Sequence, residues 1–151
     1  MHKQVLGSVG LAVVIAACAA GTPTSGPSES VPPQPIAPAG WTMVVSFGGS
    51  AGPIFSGVGS IKLGGKAVAL HAACTGIGTL VVLVEPGDGG DLGARPAAVF
   101  PCGGPGTEAD NRVELTGMAI PDVATIRAMV VEGLGTIRHA AFNVSIEQPQ
   151  T

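Results

Sequence analysis

For residues 41–148 the sequence predicts an all-β domain, an antiparallel sandwich of about seven or eight strands, immunoglobulin-like or jelly-roll-like. Three observations predict it. Short apolar, β-branched runs recur between Gly, Pro and Asp residues. No segment sustains a 3.6-residue apolar stripe over helical length. The last run alternates, with Phe142, Val144 and Ile146 on one parity and Asn143, Ser145 and Glu147 on the other. In a strand that alternation puts the first set on a core and the second in water.

Strands are expected at residues 41–47, 57–63, 66–74, 79–85, 97–102, 112–117, 124–132 and 136–147. The stretch 123–131 has the nearest approach to a helical pattern, but its β-branched residues and the flanking Pro121 and Gly133 favour a strand. Gly64-Gly65 supplies the positive φ angles of a two-residue turn, which would set Ile61 opposite Val68 and Leu63 opposite Lys66 in a hairpin. Gly133-Leu134-Gly135 would join the last two strands in the same way. Residues 79–84 (Thr-Leu-Val-Val-Leu-Val) are apolar on both parities, the pattern of a central strand covered on both sides.

Ahead of this domain the composition changes twice. Met1-His2-Lys3-Gln4 is a short positive segment, followed by thirteen uncharged residues, 5–17, rich in Val, Ala and Leu. A bilayer-spanning helix needs roughly 20 residues, so the run fits the core of an export signal instead. It ends in Ile15-Ala16-Ala17-Cys18. These four residues resemble the lipobox of bacterial lipoproteins. The resemblance implies a signal peptide over 1–17, cleavage before Cys18, and a diacylglyceryl group, with acyl chains such as palmitate, on the Cys18 sulfur. Two or more such chains hold a protein durably on a membrane.

Residues 18–40 then form the lipidated Cys and a Pro/Ser/Gly-rich linker; six of the thirteen prolines fall in 19–40. Such a composition is expected to be extended and mobile, reaching at most roughly 70 Å at 3.1 Å per residue. Residues 149–151 are a short tail. With Cys18 lipidated, Cys74 and Cys102 remain, an even pair in an exported setting, and a structural disulfide between them is expected. A redox centre would ask for a CxxC or cationic neighbours, and neither is present.

A length of 151 residues leaves room for one sizeable domain. The net charge is -3, with no run of Lys or Arg, which excludes an electrostatic grip on nucleic acid. One Trp and no Tyr argue against an aromatic sugar-binding platform, and Trp41 is expected to cover the edge of the core where the linker arrives.

Chemical motifs are few. Gly48-Gly49-Ser50-Ala51-Gly52 matches GxSxG, and Asp122 and His139 follow in the chain order of a Ser–Asp–His triad. A nucleophile elbow needs a helix after the Ser, and Pro53, Ile54, Phe55 and Gly57 are poor helix formers. Asp88 and Asp91, in a Gly-rich turn, are where a cation such as Ca²⁺ would first be sought. His71 and His139 fall on outward parities without a metal-binding pattern.

The sequence therefore points to a lipid-anchored, envelope-exposed protein. It would be attached to a bacterial membrane through its N-terminal lipid, serving as a non-enzymatic binding, adhesion or structural accessory with an unidentified ligand. No cofactor is implied and no catalytic residue is assigned. The alternatives are an extracytoplasmic hydrolase using Ser50 and an ion- or solute-binding protein using Asp88 and Asp91.

Overall fold

The structure is a computed structural model and describes residues 29–50, 56–87, 96–131 and 140–151. The expected signal peptide, Cys18 and the first part of the expected linker, the Asp88/Asp91 turn, the Gly133-Leu134-Gly135 turn and His139 lie outside the described residues.

Eight strands run in chain order: β1 (Trp41–Ser50), β2 (Ser56–Lys62), β3 (Ala69–Gly76), β4 (Thr79–Pro86), β5 (Ala98–Pro101), β6 (Gly104–Glu114), β7 (Val123–Val131) and β8 (Ala141–Pro149). They build two four-stranded sheets, a front sheet ordered β1-β8-β3-β6 and a back sheet ordered β2-β7-β4-β5. Every neighbouring pair is antiparallel. Of the two sandwich types expected, this order is the jelly roll, with two interlocked Greek keys.

Alternation explains the layers. On β8, Phe142, Val144 and Ile146 point between the sheets, joined from β3 by Leu70, Ala72 and Cys74. The back sheet answers with Leu80 and Val82 from β4, Phe100 from β5, and Ile126, Ala128 and Val130 from β7. Phe47 and Phe142 meet edge-on with ring centroids 6.5 Å apart, a favoured aromatic geometry. The run 79–84 is an inner strand, paired laterally by β5 and β7, but the expected cover on both faces is incomplete, since Val81 is only half-buried. Its second apolar parity, Val81 and Leu83, lies on the outer face of the back sheet.

Two sequence expectations are corrected by the tertiary arrangement. Gly64 and Gly65 do adopt positive φ, 61° and 62°, and Lys66 N donates to Leu63 O at 3.3 Å. The strands on either side nevertheless go to different sheets. Ile61 pairs with Ala124 of β7, not with Val68, because the turn carries the chain across the sandwich. The second correction concerns β6, which starts at Gly104, eight residues before the expected run. Its first half (Gly-Pro-Gly-Thr-Glu) has no apolar signature, since an edge strand tolerates Pro and polar residues that an inner one does not.

Because all pairs are antiparallel, the sandwich has two distinct ends. The ends of β1, β3, β5 and β7 meet the starts of β2, β4, β6 and β8 at what we term the disulfide pole. Here Cys74, at the end of β3 in the front sheet, is bonded to Cys102, just after β5 in the back sheet, with a Cα–Cα distance of 4.8 Å. Two backbone bonds flank the staple, Cys102 N to Gly78 O at 3.0 Å and Gly103 N to Cys74 O at 3.2 Å. The opposite end, the turn pole, carries Gly64-Gly65. There Leu63 N and Gly64 N both donate to Asp122 O, and Gln148 Nε2 to Leu63 O.

The disulfide closes a separation of 28 residues, worth about 3–4 kcal/mol on the chain-entropy account. Cys74→Ser is expected to lower stability by about that amount, read as a drop in melting temperature by calorimetry. Reductant should reproduce the drop in the wild type and add nothing in the variant.

Candidate functional site

Ionisable side chains gather on the outer face of the front sheet. Register places them: His71 of β3 is paired with Arg112 of β6 on one side and Ser145 of β8 on the other. One pleat along, Ala69 lies between Glu114 and Glu147. The small Ala69 leaves Arg112 a path over β3 to reach β8.

Glu147 is the centre of the cluster and has no exposed surface. One of its oxygens accepts from Arg112 Nε at 2.8 Å and the other lies 2.9 Å from His71 Nδ1. His71 Nε2 in turn lies 2.7 Å from an Asp110 carboxylate oxygen. Arg112 Nη1 donates to Glu114 at 3.0 Å, and its guanidinium stacks 4.3 Å from the centroid of the Trp41 ring. A neutral imidazole has one N–H and could serve one of the two carboxylates, whereas the imidazolium serves both. Burial works against the Arg112 cation, but hydrogen bonds to Glu147 and Glu114, and their charges, outweigh it and hold the guanidinium above its ordinary value. Arg112 is therefore a permanent cation at this site.

The sequence expectation that Ser145 and Glu147 face water is overturned. Their parity is as expected, yet both are fully buried, and His71, expected on a solvated surface, is only 8% exposed. Segment 29–40 also lies on this face. Pro32 and Pro35 are buried while Pro33 and Gln34 are exposed, the three-residue repeat of a polyproline II helix with one edge against a surface. Glu29 accepts from Gly106 N, and Val31 Cγ1 lies only 3.1 Å from where a Cβ on Gly48 would be. Composition alone assigned these twelve residues to a mobile linker; here they form a strap. Three buried polar atoms on or beside the cluster, Arg112 Nη2, Asn143 Oδ1 and Ser145 Oγ, have no partner among the described residues.

The arrangement is a charge clamp more than a reaction centre. With both ring nitrogens engaged by carboxylates, His71 has none free to take a proton from a bound molecule. Among the described residues no group of three His, Cys, Asp or Glu is placed to hold a metal ion. Of the triad candidates, the two described residues are not brought together. Ser50 ends β1 at the disulfide pole, while Asp122 precedes β7 at the turn pole, so the GxSxG serine and that carboxylate stand at opposite ends of the sandwich. A second, simpler ion pair sits on the back sheet, Arg127 Nε to Glu85 at 3.2 Å. Sequence reasoning missed the Glu147 cluster because Arg112 and His71 stand 35 and 76 residues from Glu147; the shared outward parity of His71 and Glu147 was the one signal on offer.

No family model and no curated protein sequence matches this chain. Among solved structures there is a chain from the work entitled "Bacillus endospore appendages form a novel family of disulfide-linked pili", 13% identical, covering 74% of this chain and 88% of that one. Its TM-score of 0.39 is too slight a likeness to bear on function.

Glu147→Gln keeps the shape but removes the negative charge that Arg112 and His71 both contact, and is expected to cost about 3–5 kcal/mol. Glu114→Gln, at a half-exposed rim position, is expected to cost under about 1 kcal/mol. Denaturant unfolding of the two variants checks the contrast.

Proposed function

We propose that this protein is a lipid-anchored lipoprotein of a bacterial envelope that displays a disulfide-stapled jelly roll outside the cytoplasm, as a non-enzymatic binding, adhesion or structural accessory. The accounting of its sulfur carries the reading. The chain has three cysteines. Two are joined across the sheets in a bond that persists in oxidising compartments. The third, Cys18, stands where the lipobox resemblance puts the acylated residue.

The chemistry of the front sheet supports a display role. Its buried ionisable groups are occupied with one another, and what they produce is a rigid, dry face under a strap. A rigid sandwich also leaves the loops at its poles free to vary, which is how such folds acquire binding surfaces.

Intact mass measurement of the protein extracted from membranes tests the proposal. The expected mass begins at Cys18, includes acyl chains, and is two protons lighter than the fully reduced form. Cys18→Ala is expected to yield an unprocessed precursor or a protein lost from the detergent-soluble membrane fraction. Unchanged retention and mass in that variant would refute the anchor.

A further inference from the structure

We propose that the strap selects which end of the domain faces the membrane: the disulfide pole lies against the lipid, and the turn pole points away from it. The inference rests on the lipidation of Cys18 proposed above and adds an orientation to it.

The course of the strap is set by its contacts. At the disulfide pole both Glu29 carboxylate oxygens accept from Gly106 N, at 3.1 and 3.2 Å. Val31 lies over Gly48 near the end of β1, and Gln34 meets Met43 near its start. At the turn pole Trp41 N donates to Pro38 O at 3.0 Å, Gly40 adopts φ 83°, and Gln150 N donates to Gly40 O at 2.8 Å. Rising strap numbers thus meet falling β1 numbers. The chain arrives at the disulfide pole, runs the length of the front sheet, turns at Gly40, and returns as β1.

Without the strap, 22 residues, 19–40, would separate the anchor from the turn pole, where β1 begins. With it docked, only ten, 19–28, separate the anchor from the disulfide pole. Ten residues reach at most about 35 Å fully extended. The poles are about 30 Å apart, the length of a ten-residue strand. Bringing the turn pole to the lipid would use nearly the whole contour length of those ten residues, whereas the disulfide pole reaches it with length to spare.

The chain supplies its own reporter. After loss of the leader its only lysines are Lys62 and Lys66, both at the turn pole. The full lipidated protein, extracted and reconstituted in phosphatidylethanolamine/phosphatidylglycerol vesicles, would carry an amine-reactive donor dye there, with an acceptor dye on lipid. A second form, K62R/K66R/T107K, moves the donor to exposed Thr107 near the disulfide pole, and K62R/K66R is the blank for dye on the N-terminal amine. Energy transfer is expected to be markedly greater from position 107 than from the native lysines. P32E/P35E, which charges the two strap residues turned to the sheet, is expected to abolish or invert that difference. Equal transfer from both positions, or greater transfer from the native lysines, in vesicle-bound protein with an intact strap overturns the orientation alone. Protein that neither floats with vesicles nor carries acyl mass overturns the lipid anchor, and the orientation with it.

Discussion

A carboxylate removed from water needs cations within hydrogen-bonding distance, and Glu147 is such a carboxylate. It lies on the outer face of an inner strand, where a two-layer sandwich would ordinarily be wet. Arg112 and His71 approach it from two other strands. Trp41 stacks on Arg112, and Asp110 holds the far side of His71. The clamp ties β1, β8, β3 and β6 together through side chains, across the same sheet that backbone hydrogen bonds already join. Drying this face is what makes a landing surface for the strap.

The floor beneath the strap is built for close approach. Gly48 sits under Val31, where a Cβ would also come within 2.8 Å of Phe142 O. Ala69, Ala73 and Ala141 contribute further small, buried positions on the outward parity of β3 and β8. Prolines suit such a surface because they are already extended and give up little conformational freedom on docking. The inner strands β3 and β8 of the front sheet are therefore buried on both faces, while its edge strands β1 and β6 stay largely exposed. The back sheet keeps an open outer face with Val99 and Val131 about half exposed. At the disulfide pole the Cys74–Cys102 bond joins the two layers directly.

Much of this was legible locally. The inward parity of β8, the strand character of 123–131, the inner position of 79–84 and the positive φ of Gly64-Gly65 follow from short-range rules of alternation, branching and turn chemistry. The partner of each strand was not, since a glycine turn fixes a reversal of direction without saying whether the chain returns to the same sheet. The start of β6 was hidden because edge positions accept residues with no strand signature. The Glu147 cluster was hidden because an outward parity carries no information about whether water or another segment lies beyond it. The two candidate triad members, Ser50 and Asp122, show the same limit: chain order does not say which pole a loop occupies.

By itself the amino-acid sequence determined the class of fold and the inward and outward parities of its strands. These depend on the properties of neighbouring residues. Only the tertiary structure decided the jelly-roll order, the separation of Ser50 from Asp122, the burial of Glu147 and the conversion of residues 29–40 from linker to strap. Those depend on which surfaces meet. A Pro-rich segment has the same composition free or docked, and what distinguishes the two is a dry, small-residue face assembled from strands far apart along the chain.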